Sequence, residues 1–122
     1  MRKKENNSNA KGKKISKFAV YNFSMVTDKT EILNKLTAIK PLLQKECNVT
    51  ELALFGSYAR NEQTPKSDID IMIDMADKSY KRFLRTIDLL EAAFPGIAVQ
   101  VVSKDGIKPA YFEFVKQDLI YA

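Results

Sequence analysis

Two aspartates separated by one residue, Asp68 and Asp70, stand eleven and thirteen residues after the serine of a Gly56-Ser57 pair. On a strand, positions two apart share a face, so both carboxylates project one way while Ile69, Ile71 and Ile73 project the other. Two such charges about 7 Å apart repel by roughly 0.6 kcal/mol in water and about 2 kcal/mol at an effective dielectric near 20. A cation between them removes that cost, which points to a divalent metal site. The Gly-Ser pair lies where an apolar strand hands over to a short helix. Backbone N–H groups and the positive end of a helix dipole converge at such a junction and suit an anion. Glycine admits a phosphate close to the backbone and the Ser57 hydroxyl adds a donor. Serine is also a routine helix cap, so the junction alone has a purely structural reading. A phosphate site facing a metal site is what transfer from a nucleoside triphosphate needs.

Composition narrows the chemistry. The chain has 122 residues, room for one domain and one core, and it contains no histidine. Ser-His-Asp and Cys-His catalysis and His-ligated zinc are excluded, and any metal must be held by oxygen, which favours magnesium, or manganese, over zinc or copper. The single Cys47 forms no intrachain disulfide, in keeping with a reducing cytoplasm. No apolar run approaches the roughly 20 residues a membrane span requires. The basic start lacks a following small-residue cleavage site, which argues against a signal peptide. The net charge of +5 is unevenly placed: residues 1–27 hold seven Lys/Arg against Glu5, whereas residues 28–122 hold thirteen against fourteen acidic residues. The division expected is a basic, largely disordered tail over 1–27 and a folded domain over 28–122. The first fourteen residues carry no aromatic to stack on bases, so a solvated leader is favoured over a nucleic-acid-binding arm. Phe18 to Val26 is more apolar and has the composition of an edge strand or a packed segment.

The elements that must position these groups read as follows. Asp28 with Glu31 is a capping box for a helix whose Ile32, Leu36, Ile39 and Leu43 share one face. Pro41 predicts a break or kink at Lys40 and a second short helix to about Glu46. Val49 to Phe55 is a strand, Asn61 to Ser67 a loop, and Ser67 to Met75 the strand that carries the aspartates. Ser79 to Phe94 is a helix with Phe83, Ile87, Leu90 and Phe94 inward, ended by Pro95-Gly96. Ile97 to Val102 is a third strand, and Lys104 to Lys108 a loop. Ala110 to about Ile120 is a last helix opened by Pro109, with Phe112, Val115 and either Leu119 or Phe114 inward. The sum is an α+β domain: a small mixed sheet backed by helices.

With its motifs placed, the chain resembles the nucleotidyltransferase superfamily that includes DNA polymerase beta. Within it, the chain is similar to the minimal nucleotidyltransferases paired with HEPN-domain proteins in toxin–antitoxin systems. The residues that carry the resemblance are Leu54 to Arg60 and Ser67-Asp68-Ile69-Asp70, in the spacing G-S-x10-D-x-D, and the likeness spans roughly Ile32 to Tyr121. It implies a nucleotidyltransferase fold, triphosphate binding by Gly56 and Ser57, and magnesium ligated by Asp68 and Asp70. It further implies transfer of a nucleoside monophosphate, with AMP from ATP favoured, to a hydroxyl, in toxin–antitoxin members a tyrosine of the HEPN partner. A core of about 95 residues leaves no acceptor-binding domain, so the acceptor is expected on another chain.

The chain departs from that family's pattern twice. Asn61 stands where the family has glycine after Ala-Arg, and asparagine is the next-best residue for a left-handed cap, so the turn is expected to survive. Gln100 stands where the family carries a third carboxylate; it offers a carbonyl oxygen but no charge and no base for the acceptor hydroxyl. Gln100 either faces the site or is an edge residue facing water. Asp105 replaces it only if its loop folds back. Arg60, three residues after Ser57, meets a phosphate or a partner, or is solvated. Asp74 shares the parity of the two aspartates but lies about 13 Å from Asp68 along a strand, too far to share a metal. Lys66 reads as solvated, and Lys78, Lys81, Arg82 and Arg85 as a wet helix face. Two functions follow: a magnesium-dependent enzyme that modifies a partner protein, or a binding module that neutralises the partner by contact alone.

Overall fold

The computed structural model describes residues 27–122. The expectations for the tail over 1–27, apart from Thr27, and for Phe18 to Val26 lie outside the described residues. Helix α1 (Lys29–Cys47) begins on Asp28, whose carboxylate accepts from the Glu31 N–H at 2.9 Å. It ends on Asn48 in the left-handed conformation, φ 56°. Of the break or kink expected at Lys40, the break does not occur: Pro41 sits inside one continuous helix. Ile32, Leu36, Leu43 and Cys47 are fully buried on both sides of Pro41, so breaking the helix would strip one half of its contacts. Pro41 itself faces water.

Strands β1 (Val49–Phe55) and β2 (Ile69–Met75) pair antiparallel; β3 (Val99–Ser103) pairs parallel to β2. Helix α2 (Tyr80–Ala93) joins β2 to β3 with Ser79 as its cap, and Gly96, φ 86°, turns the chain behind it. Helix α3 (Pro109–Asp118) follows a short 3-10 turn and is shorter than the reading to Ile120. The residues after it form a strand the sequence reading missed, β4 (Ile120–Tyr121), antiparallel to β1. Two residues carry no period, so only the exposed edge of β1 reveals their pairing. The sheet order is β3-β2-β1-β4, mixed as expected.

Alternation divides the core. Leu52, Leu54, Ile69, Ile71 and Ile73 face α1 and α2, together with Leu90 and Phe94. On α2 the fully buried partner of Leu90 is Thr86, not Ile87: the Thr86 hydroxyl donates to the Arg82 carbonyl at 2.8 Å and so is satisfied inside. On the other face Ala53, Phe55 and Met72 meet Val115, with Phe112 and Leu119 packed alongside. Phe114 points outward. The side chain of Lys40 donates to the main-chain oxygen of Ala122 at 2.7 Å, tying the β4 end to α1.

Candidate active site

Asp70 stands on the α3 face of β2, opposite Phe55 of β1 and beside Gln100 of β3. Immediately after Phe55, Gly56 adopts φ +80°, a conformation that L side chains rarely take. A Cβ on Gly56 would lie 2.2 Å from Asp70 Oδ2. The carboxylate therefore fills the space that any other residue at 56 would occupy.

The chain after Gly56 makes one helical turn and stops, so the short helix expected there is a run of turns. The Arg60 N–H reaches the Gly56 and Ser57 carbonyls at 3.2 Å each. Asn61 has φ 60°, its N–H donates to Tyr58 O at 3.3 Å, and the Glu62 N–H donates to Ser57 O at 2.8 Å. Those two bonds around a left-handed residue are a Schellman closure, with Asn61 in the place glycine usually takes. A single turn builds little macrodipole. What it offers an anion is local: among the described residues, the N–H groups of Ser57, Tyr58 and Ala59 donate to no backbone carbonyl.

Asp68 lies one residue before β2, exposed, at the end of a loop braced by Thr64 and Ser67. The Thr64 N–H donates to Ser67 Oγ at 2.8 Å and the Ser67 N–H to Thr64 O at 3.0 Å. The next N–H, of Ile69, is already bonded to Ala98 O at 2.9 Å, so the chain is fixed on both sides of Asp68. Burial, and then the charge of Asp68, raise the Asp70 carboxyl above its ordinary pKa, while Arg60 lowers it. Two oxygen-donor side chains whose repulsion Arg60 offsets only in part could hold a hard divalent ion. Among the described residues no cluster of three or more acidic, Cys or His side chains could hold a metal. A two-carboxylate set suits magnesium, which keeps several waters and shares substrate phosphates.

Gly56, Ser57, Arg60 and Asp70 line one cleft of about 420 Å³, whose opposite wall is α3 with Tyr111, Phe114 and Asp118. Asp68 lines a neighbouring cavity of about 490 Å³ with Tyr58, Gln63 and Ser67. Arg60 is not merely solvated: its guanidinium donates to Asp118 Oδ2 at 2.6 Å and to Glu62 Oε1 at 3.0 Å. The sequence reading did not single out Asp118. Its signal was its place in the last turn of an amphipathic helix, too common a setting to mark a site.

Gln100 is exposed on the edge strand β3 and in register with Asp70 on β2, but it does not line the cleft that holds Asp70. Asp105 does not replace the absent carboxylate. It pairs with Lys78 at 3.2 Å, and Lys78 also holds Asp74 at 2.7 Å at the far end of β2. That contact lowers the Asp74 pKa. Arg82 pairs with Asp77 and Arg85 with Glu46, as a solvated helix face would, and Lys66 is exposed.

A mixed sheet whose glycine-serine turn is seated against the strand-borne carboxylate of Asp70 fits a nucleotidyltransferase. Residues 36–121 match the nucleotidyltransferase domain family, and the chain belongs to it. It is 42% identical over 94 residues, 75% of this chain and 95% of the other, to a Methanocaldococcus jannaschii protein provisionally named a protein adenylyltransferase. It is 35% identical over 92 residues, 75% of this chain and 92% of the other, to protein adenylyltransferase MntA of Thermococcus cleftensis. Among solved structures it is similar to one described provisionally as a minimal nucleotidyltransferase (TM-score 0.66, 25% identity, 77% of this chain and 95% of that one). It is also similar to a chain of a toxin–antitoxin crystal structure with AMP-PNP (TM-score 0.57, 25% identity, 73% and 72%). No helix among the described residues is long and apolar enough to cross a membrane.

Proposed function

We propose that this chain transfers AMP from ATP to a hydroxyl of a partner protein, a HEPN-domain toxin that the modification silences, in the cytoplasm. The observation that carries the reading is the seating of Asp70 against Gly56, in one cleft with Ser57 and Arg60. Relatives named protein adenylyltransferases and a similar toxin–antitoxin structure with AMP-PNP support the nucleotide and the kind of partner.

In the reaction, a bond forms between the acceptor oxygen and the α-phosphorus, and the bond to pyrophosphate breaks. Ser57 and the free N–H groups of its turn hold the terminal phosphates. Arg60, held by Asp118 and Glu62, offers its remaining guanidinium N–H groups beside them. Asp68 and Asp70 would hold magnesium, or manganese, which would supply positive charge to neutralise the triphosphate. Gln100 accepts a hydrogen bond from the acceptor hydroxyl but cannot remove its proton, which leaves to solvent or to a group on the partner.

The second reading, a binding module that neutralises the partner by contact, is favoured by the neutral Gln100 beside Asp70. The two separate in one experiment. The chain is incubated with labelled ATP, magnesium and the HEPN protein, alongside Gln100→Asp. The enzyme reading expects label on the partner and a gain of at least about tenfold in Q100D from a restored base. No label with either protein leaves contact alone.

A further inference from the structure

We infer that Tyr111 and Phe114 form the platform on which the purine base of the nucleotide stacks, an inference that rests on the phosphate site proposed above. Both are large aromatics left in water, 55% and 70% exposed. Three residues apart on α3, they lie on the same side of the helix. Their exposure is not a failure of the core, because α3 already buries Val115 and packs Phe112 and Leu119 against the sheet. Both line the cleft that contains Gly56, Ser57 and Asp70. The equally exposed Tyr80 on α2 and Tyr121 on β4 do not line it.

Order along α3 gives the orientation. Asp118, at its C-terminal end, grips Arg60 beside the turn, so phosphates held at Ser57 lie at that end of the cleft. Phe114 and then Tyr111 follow one and two turns back along the same wall. A nucleotide whose phosphates occupy the turn places its flat base against them, and the face of an aromatic ring is where a purine gains most from leaving water. Stacking reads a π-face rather than the hydrogen-bonding edge of a base. In this cleft Arg60 and Asp118 are occupied with each other, and Ser57 and Asp70 face the phosphates and metal. ATP and GTP are therefore bound with affinities within about tenfold of each other.

The test is calorimetric titration of the full chain with magnesium, using ATP, GTP and inorganic tripolyphosphate, which has no base. Phe114→Ala is expected to weaken ATP and GTP alike by about tenfold and to leave tripolyphosphate binding unchanged. Phe114→Tyr should restore both, Tyr111→Ala should act in the same direction, and Tyr80→Ala should change nothing. An unchanged melting temperature in F114A shows that the fold is intact. The inference is overturned if F114A binds ATP like the parent, or if tripolyphosphate affinity falls with it. Unchanged ATP binding with lost partner modification would assign the two rings to the partner instead. If the parent chain binds neither ATP nor tripolyphosphate, the phosphate site fails first; if it binds both and F114A has no effect, only the platform fails.

Discussion

Gly56 and Asp70 share one small space: the carboxylate of the second occupies the position where a side chain on the first would begin. The contact ties the turn proposed to hold phosphate to the strand proposed to hold metal, so one substitution disturbs both. Gly56→Ala puts a methyl 2.2 Å from Asp70 Oδ2 and forces a residue with a Cβ into φ +80°. The expected loss is about 1–3 kcal/mol of stability, read from the urea midpoint. Asp70 must rotate away, so the magnesium-induced rise in melting temperature should disappear while the fold remains.

Asp70 is a destabilising group when ionised without a cation, because burial and Asp68 both hold its pKa up. In a window that begins at its unfolded value, the native state keeps a proton that the unfolded chain has released. Stability contributed by this residue therefore falls as pH rises through the folded pKa. Compared with Asp70→Asn, the parent should melt alike in acid and progressively lower as pH rises, levelling off once Asp70 is ionised. Magnesium at ten times its Kd should return about 1.4 kcal/mol to the parent, a shift of roughly 5 °C or more for a domain of this size. The variant should gain nothing. A parallel magnesium shift in both proteins would place the ion elsewhere.

Asn61 closes the turn at φ 60° without the freedom of glycine. Asn61→Ala should lose about 1–2 kcal/mol, the cost of a Cβ in the left-handed region without a local hydrogen-bonding side chain. Asn61→Gly should stay within about 0.5 kcal/mol of the parent. Denaturant unfolding of the three proteins checks the order.

Asp118 fixes Arg60 from the end of α3. Asp118→Asn leaves the guanidinium tethered to Glu62 alone, so the KM for ATP should rise about three- to tenfold with kcat within about twofold. Asp118→Glu should recover most of the loss. Equal falls in kcat and kcat/KM would instead mean that Asp118 acts only in the transition state.

The sequence by itself determined the local chemistry of this protein. Apolar period, caps and turn residues placed the start of α1, and α2, β1 and β2, to within a few positions, since those signals act between neighbours along the chain. The Gly-Ser and Asp-x-Asp spacing brought the turn and the second aspartate to one cleft, because a strand, a closed turn and an antiparallel return allow little else. The tertiary structure decided what depends on partners distant in sequence. Pro41 stayed helical because buried residues on both sides of it pack on the sheet, and Ile120–Tyr121 became a strand because β1 had an open edge. Arg60 found Asp118 fifty-eight residues away, Asp105 went to Lys78, and Gln100 came to rest beside Asp70. No periodicity encodes those encounters: they arise when helices and strands close around one core, and it is there that the site acquires its second wall.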